Sequence, residues 1–314
     1  MQIKVTCILF SYNQECYIEE AISSMLNQDY INSEYIVIDD GSSDSSVSLI
    51  KKHLDKGHIN FKFINVGMNK GLASAINLAV SEANGELIVF FAGDDISEVG
   101  RVTKIVDIWE ETKSSAIFSN ADMIDDNGNR VFTLYDSSKS SNFHFSLFIN
   151  DETTPTVGAT LSYHRDIFNK ELFEYLNSDV INEDRVLPLR ALYLNGISYI
   201  DEPLVKRRYA VGLGTLNKGL LKNKTFKLME VHYTRRISCL NQQIQDANKY
   251  GYGAECLDMM KTNLQLAELF FKVAKDRNFL NIKTIIKIMR LGAAQKYFYW
   301  MVFWLKSYVK RIIG

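Results

Sequence analysis

The sequence predicts an α/β protein: a mostly parallel β-sheet with helices on both faces, followed by a helical C-terminal region. Three observations predict it. Over the first ninety residues, short apolar runs alternate with segments of helical period, joined by short polar links. Polar clusters, SYNQE, DDGSSD and AGDD, follow the first, second and fourth of those runs. After Gly212 proline disappears and the apolar spacing becomes long and helical.

The elements follow in order. Ile3 to Phe10 (IKVTCILF) is a strand. CYIEEAISSMLNQ places Ile18, Ala21, Ile22, Met25 and Leu26 at helical spacing. Glu34 to Asp39 is a second strand. SDSSVSLIKKHL offers Ser or Asp as N-cap before Val47, Leu49, Ile50 and Leu54. Asn60 to Val66 is a third strand, and Leu72, Ala75, Ile76 and Ala79 mark a third helix that Asn84-Gly85 would cap. LIVFFA (Leu87 to Ala92) is the fourth strand. In such a sheet ligands bind beyond the carboxyl ends of the strands, so the three polar clusters should meet on one edge. Beyond Arg101, RVTKIVDIWEET reads as helix, AIFSNADMI as strand and DDNGNR as a tight turn. TPTVGATLSYHRDIF reads as a short strand and a helix start, NEDRVLPLRALYLN as helix, and ISYIDEPLVKRRY as a strand with a turn. The chain divides into 1–212 and a helical region 213–314.

The bulk numbers narrow the function. A chain of 314 residues that is 46% hydrophobic and 23% charged suits one large globular domain with an appendage. A net charge of -1 gives no global reason to bind nucleic acid. Cys7, Cys16, Cys239 and Cys256 have no C-x-x-C spacing and make no disulfide framework, as expected of reduced thiols in a reducing compartment. The N-terminus enters a strand at once, which reads as no signal peptide. No apolar run reaches the roughly 18 residues needed to span a bilayer; Tyr297 to Leu305 is the longest candidate. The five histidines show no ligand spacing and read as structural.

From Lys272 onward ten Lys/Arg face a single acid, Asp276, which suggests a basic tail that meets an anionic surface. On a helical wheel Lys296, Lys306, Ser307, Lys310 and Arg311 share one arc, and Phe298, Met301, Leu305, Tyr308, Val309 and Ile312 the opposite one. Trp300 and Trp304 lie at the boundary, as an interfacial membrane helix would have them. The alternatives are a helix packed on the first domain, or a basic oligomer contact.

Gly93-Asp94-Asp95 sets two adjacent carboxylates at a strand end, costly unless positive charge sits against them. IVIDDGSSD alone is equally a turn with a helix cap. In one order and phase, however, CILFSYNQE…EYIVIDDGSSD, GMNKGLASAIN…LIVFFAGDD and NEDR resemble the family 2 nucleotide-sugar glycosyltransferases, over roughly residues 3 to 210. The resemblance implies a GT-A (Rossmann-like) fold. It further implies inverting, metal-dependent transfer of a sugar from a nucleotide diphosphate, UDP-sugar first, to a glycan or lipid-linked acceptor in surface-polysaccharide assembly, peripherally on the cytoplasmic side of the membrane. A diphosphate would be repelled by Asp94 and Asp95, and Mn²⁺ or Mg²⁺ between them reverses the sign for both.

By the same resemblance Asp95 would be the metal ligand, and Asp94 would contact the ribose or the metal shell. Ala92 stands where the family has a first acid, which puts a three-carboxylate site in doubt. Asp40 would accept from the base, Tyr12 would lie beside base and ribose, and Asn69 and Gly71 would border the nucleotide, with Gly71 equally a helix cap. Asp184 would be the general base; Glu183-Asp184 is also what a helix dipole favours in a first turn. Arg208, with Arg207, would clamp the diphosphate before a mobile glycine loop at Gly212 and Gly214, although Ala210 stands where the family has a His. Two other readings compete. One is a catalytically weak nucleotide-sugar-binding scaffold, and the other a palm-type nucleotidyl transferase, in which GDD would need a further upstream Asp on an antiparallel neighbour.

Overall fold

The computed structural model describes residues 2–55, 61–135, 143–150, 156–209 and 225–302. The first ninety residues form β1 (Val5–Ser11), α1 (Ile18–Leu26), β2 (Ser33–Asp39), α2 (Ser46–Asp55), β3 (Lys62–Asn65), α3 (Leu72–Ser81) and β4 (Leu87–Ala92). A two-residue β5 (Ile96–Ser97), α4 (Arg101–Thr112), β6 (Ala116–Ile124), β7 (Arg130–Thr133) and α5 (Phe145–Ile149) follow. A 3-10 turn (Gly158–Thr160), β8 (Leu161–His164), a second 3-10 turn (Arg165–Phe168), α6 (Glu183–Tyr193) and β9 (Ile197–Arg208) complete this part. Then come α7 (Thr225–Tyr250), α8 (Ala254–Asp276) and α9 (Ile282–Arg290), with residues 294–302 also helical.

The sheet runs β3-β2-β1-β4-β8-β6-β9-β5, with β7 on the side of β6. β3, β2, β1 and β4 are all parallel. β8 then runs antiparallel to both β4 and β6, and β9 returns parallel to β6. The parallel order predicted from the alternation therefore holds as far as β4, and the sheet beyond it is mixed. Apolar periodicity marks strands there but not their direction.

Period-2 packing explains the continuous apolar strands. Cys7, Leu9, Val89 and Phe91 face one way, against Ile18 and Ile22 of α1, Ile50 of α2 and Ile105 and Trp109 of α4. Ile8, Ile36, Ile88 and Phe90 face the other, against Ala75, Ile76 and Ala79 of α3 and Val186 and Leu187 of α6.

One predicted cap is corrected. α3 ends at Ser81 with Glu82 as its C-cap, and Gly85 serves a different purpose. A Cβ on Gly85 would lie 2.4 Å from the Thr6 backbone nitrogen, and the Gly85 N–H donates to Thr6 Oγ1 at 2.8 Å. The glycine lets the chain enter β4 directly against β1.

The helical region shares a core with α5, α6 and the segment before α6: Phe148, Leu189 and Phe173 pack with Met229, Tyr233, Leu240 and Phe270. A buried ion pair, Arg190 Nε to Asp246 Oδ2 at 2.7 Å, joins α6 to α7. The 212/213 boundary and the glycines expected to form a mobile loop lie outside the described residues. So do Trp304 and the rest of the tail beyond Val302. Trp300 is placed differently from the interfacial position expected of it: its Nε1–H donates to Tyr233 Oη at 3.1 Å, which docks the 294–302 helix on α7.

Candidate active site

The loops after β1 and β2 are stitched together by side chains. Asp39 is fully buried and accepts from Ser11 Oγ (2.9 Å), the Ser42 N–H (2.8 Å) and Ser42 Oγ (2.6 Å). Asn13 donates its N–H to Ser42 Oγ at 2.8 Å and accepts the Ser43 N–H on Oδ1 at 2.9 Å. The Gln14 N–H donates to Ser46 Oγ, and the Glu15 N–H to Asp44 Oδ2. The third cluster joins through the Gly93 N–H, which donates to the Phe10 carbonyl at 2.9 Å. The three clusters thus converge at the strand ends, the first two through short polar side chains that bond neighbouring backbone and the third through a backbone hydrogen bond.

Asp40 lies beside this web. Its Oδ1 accepts the Lys70 N–H at 2.9 Å and its Oδ2 the Gly71 N–H at 2.8 Å, pinning the segment that carries Asn69. Gly41 makes that approach feasible. It has φ +76°, and a Cβ there would lie 2.5 Å from the Asn69 nitrogen.

These loops open onto a cavity of about 520 Å³. Tyr12, Asp40, Asn69, Gly71, Asp94, Asp95, Glu183, Asp184 and Arg207 all line it. Of the residues singled out from sequence, the cavity brings together Tyr12, Asp40, Asn69, Asp94, Asp95 and Asp184. Segments from Thr156 to Ala159 and from Ser178 to Asn182 form further walls that the sequence did not reveal, because nothing in their composition marks them.

Two carboxyl pairs line this space, with Asp94, Asp95 and Glu183 buried and Asp184 half-buried. Burial pushes the Asp94 and Asp95 carboxyls up, the Asp94 charge adds to the rise at Asp95, and Arg207 and Arg208 oppose it. Asp95 Oδ1 accepts the Arg208 backbone N–H at 3.0 Å. The second pair opens α6. Burial and then the Asp184 charge raise Glu183 to about 8. Burial raises Asp184 to about 6, against Arg185 and Arg207. Asp184 lines the cavity, and its Oδ1 is buried with no hydrogen-bond partner among the described residues.

Arg208 is corrected. Its side chain is buried away from the cavity lining, paired with Glu20, donating to the Asp125 and Asp126 carbonyls and lying over the Tyr17 ring. Only its backbone reaches the acidic pair; Arg207 carries the guanidinium at the cavity. Alternation along β9 explains the swap, since neighbouring side chains leave a strand on opposite faces.

A cation behind the acidic pair escaped the sequence reading. Arg101 is fully buried at the start of α4 and donates to Ser97 Oγ (2.9 Å) and to the carbonyls of Phe90 (2.9 Å) and Ala159 (3.0 Å). Burial lowers it to about 10, so it stays charged at neutral pH, near Asp95. A basic residue in a helix's first turn opposes the macrodipole, and that anomaly was the available signal.

A divalent cation fits the acidic pair. Two adjacent carboxyls at the cavity wall offer the hard oxygen donors that such an ion prefers. No group of three or more His, Cys, Asp or Glu side chains with metal-binding potential occurs among the described residues. The protein would therefore supply few ligands, as suits an ion that keeps waters and phosphate oxygens.

Residues 6–172 match the model of the family described as Glycosyl transferase family 2. The chain is 32% identical over 219 residues to UDP-Glc:alpha-D-GlcNAc-diphosphoundecaprenol beta-1,3-glucosyltransferase WfgD of Escherichia coli, covering 69% of this chain and 81% of that one. It spans only 33% to 54% of the length of several other curated relatives it matches, from Haemophilus influenzae, Nostoc sp. and Bacillus subtilis. Among solved structures, S. aureus TarS 1-349 in complex with UDP-GlcNAc aligns at TM-score 0.57 and 20% identity, over 87% of this chain and 81% of that one. The mannosyltransferase PcManGT of Pyrobaculum calidifontis, in complex with GDP-Man and Mn²⁺, aligns at TM-score 0.52 and 16% identity, over 98% of this chain and 84% of that one. These likenesses show the fold, the GT-A arrangement the sequence implied. With more than half of its length matching the family model and a well-covered relative above 30% identity, the chain belongs to the family 2 glycosyl transferases.

Proposed function

We propose that the cavity binds a nucleotide diphosphate sugar, a UDP-sugar first, and transfers the sugar with inversion to a hydroxyl of a glycan or lipid-linked acceptor. One observation carries the reading: two carboxyl pairs, Asp94 with Asp95 and Glu183 with the half-buried Asp184, line one cavity. The UDP-sugar and the lipid diphosphate in WfgD's name and the UDP-GlcNAc in the TarS complex support the choice of substrates.

Asp184 takes the proton of the acceptor hydroxyl as its oxygen attacks C1 and the bond from C1 to the diphosphate oxygen breaks. Its raised pKa keeps it basic enough for that task and still ionised at neutral pH. Arg207 meets the diphosphate as a charge-assisted donor. Asp40 holds Asn69 and Gly71 against the nucleotide, and its carboxylate oxygens keep lone pairs for the base. Asp95, with Asp94, would hold Mn²⁺ or Mg²⁺, which supplies positive charge against that building on the leaving diphosphate.

The test is a calorimetric screen of UDP-, GDP- and dTDP-sugars with and without Mn²⁺, coupled to release of the nucleoside diphosphate. Metal-dependent binding and release with a UDP-sugar supports the reading. Binding without any turnover toward any acceptor favours a nucleotide-sugar-binding scaffold.

A further inference from the structure

Large apolar side chains on the surface are concentrated near the end of the described chain. Seven of the sixteen that are exposed among the described residues lie within 280–302, although that stretch is only 23 residues long. Leu280 and Ile282 each keep 71% of their surface exposed. No described helix is long and apolar enough to cross a membrane.

The pattern within α9 says what could cover it. Thr284 and Ile288 are buried and Ile285 is half-buried against the fold. At about 100° per residue, Ile282, Ile286 and Met289 fall within roughly 60° of one another, beside the packed side. Lys283, Lys287 and Arg290 occupy the next arc, again within roughly 60°. All six are exposed. The helix thus carries an apolar band wider than the fold covers, bordered by a strip of positive charge. The helical stretch 294–302 repeats the theme, with Tyr297 buried and Phe298, Tyr299 and Val302 exposed. Such a band-and-strip surface fits a partner that is apolar inside and anionic at its rim. The charges argue against the other occupants. A symmetric contact with a second copy would set basic strip against basic strip, and the segment that follows, FWLKSYVKRIIG, adds three more cations and no acid.

We propose that the outer face of α9 seats the protein on an anionic lipid surface, with Ile282, Ile286 and Met289 entering the headgroup boundary and Lys283, Lys287 and Arg290 meeting the lipid phosphates. Trp300 is excluded from this contact because it is bonded to Tyr233 on the folded side. The attachment goes beyond the transfer reaction, which proceeds in the cavity with soluble donor whether or not lipid is present.

The test is sedimentation of the full chain with vesicles of phosphatidylcholine alone or mixed with phosphatidylglycerol, at low and high salt. The chain should bind the mixed vesicles, more weakly at high salt, and ignore the neutral ones. Each basic residue at an anionic leaflet contributes about five-fold, so the triple variant Lys283→Gln/Lys287→Gln/Arg290→Gln should bind about a hundred-fold more weakly. The variant Ile282→Ser/Ile286→Ser should also bind the mixed vesicles at low salt more weakly than wild type, because the apolar band adds to the electrostatic attraction. Both variants should release UDP from a UDP-sugar in solution at the wild-type rate, which separates this claim from the proposed reaction. Wild-type protein that ignores mixed vesicles, or a triple variant that binds them as well as wild type, overturns the proposal. A dimer in solution that Ile282→Ser/Ile286→Ser dissociates overturns it as well, and assigns the face to a second copy.

Discussion

Replacing Arg190 with alanine should destabilise the sheet and the helical region together. Arg190 and Asp246 each expose 2% of their side chains. Arg190 donates from Nε to Asp246 Oδ2 at 2.7 Å and from Nη2 to Oδ1 at 2.9 Å. Its remaining N–H groups reach the carbonyls of Ile167 (3.2 Å) and Glu174 (2.8 Å). Burial pushes the Asp246 carboxyl up, and the guanidinium is what holds it back. Truncation strands a buried carboxylate and two carbonyls, and breaking a buried pair in this way costs about 3–5 kcal/mol. Replacing both partners by apolar residues, Arg190→Met with Asp246→Leu, removes the stranded charge and should recover most of that loss. The assay is urea unfolding followed by far-UV dichroism and by tryptophan fluorescence, since Trp109 lies in α4 and Trp300 against α7. The Arg190→Ala midpoint should fall with both probes coincident. A loss below about 1 kcal/mol, or two separate transitions with only one moved, would refute the argument that this pair joins α6 to α7 within one folded unit.

Three shorter predictions accompany it. Asp95→Asn should abolish Mn²⁺-dependent donor binding and turnover while thermal unfolding changes little; calorimetry with UDP-sugar checks it, and retained activity at ordinary metal levels removes the acidic pair from the site. Because burial raises Asp184 from 3.8 to about 6, it is protonated and unable to act below that value, so kcat/KM for transfer should rise with pH through about 6; a pH–rate profile flat across that range places the base elsewhere. Gly85→Ala drives a methyl to within 2.4 Å of the Thr6 nitrogen and should cost about 1–3 kcal/mol in chemical unfolding, with an unchanged midpoint contradicting the close approach.

Much of this molecule was legible because its signals are local. The run from Arg101 to Thr112 and the strand Ala116 to Ile124 have the boundaries that periodicity gave them. Asp40, Asp94 and Asp95 stand in polar clusters that follow strands of a parallel sheet, whereas Asp184 opens a helix and is named by the family resemblance of NEDR alone; the structure sets all four around one cavity. What sequence hid depends on direction and distance. Nothing in LSYH states that β8 runs against β4. Arg207 and Arg208 are adjacent and alike, and only the pleat of β9 decides which guanidinium reaches the cavity. Gly85 looked like a helix cap, because its reason, contact with Thr6, lies 79 residues away in sequence. The tail's pattern allows both an amphipathic surface helix and a helix packed on the fold, and Trp300 and Tyr297 turn part of it inward.

In the proposed reaction Asp184 is the base of a sugar transfer from a nucleotide donor bound in this cavity. The most direct measurement is a paired one on Asp184→Asn: UDP-sugar affinity by calorimetry with Mn²⁺, and the rate of transfer to acceptor. A base acts only as the acceptor oxygen attacks, so donor affinity should stay within about three-fold of wild type while the transfer rate falls by roughly 10²–10⁴-fold. Transfer within ten-fold of wild type, or a loss of donor affinity as large as the loss of rate, would contradict it.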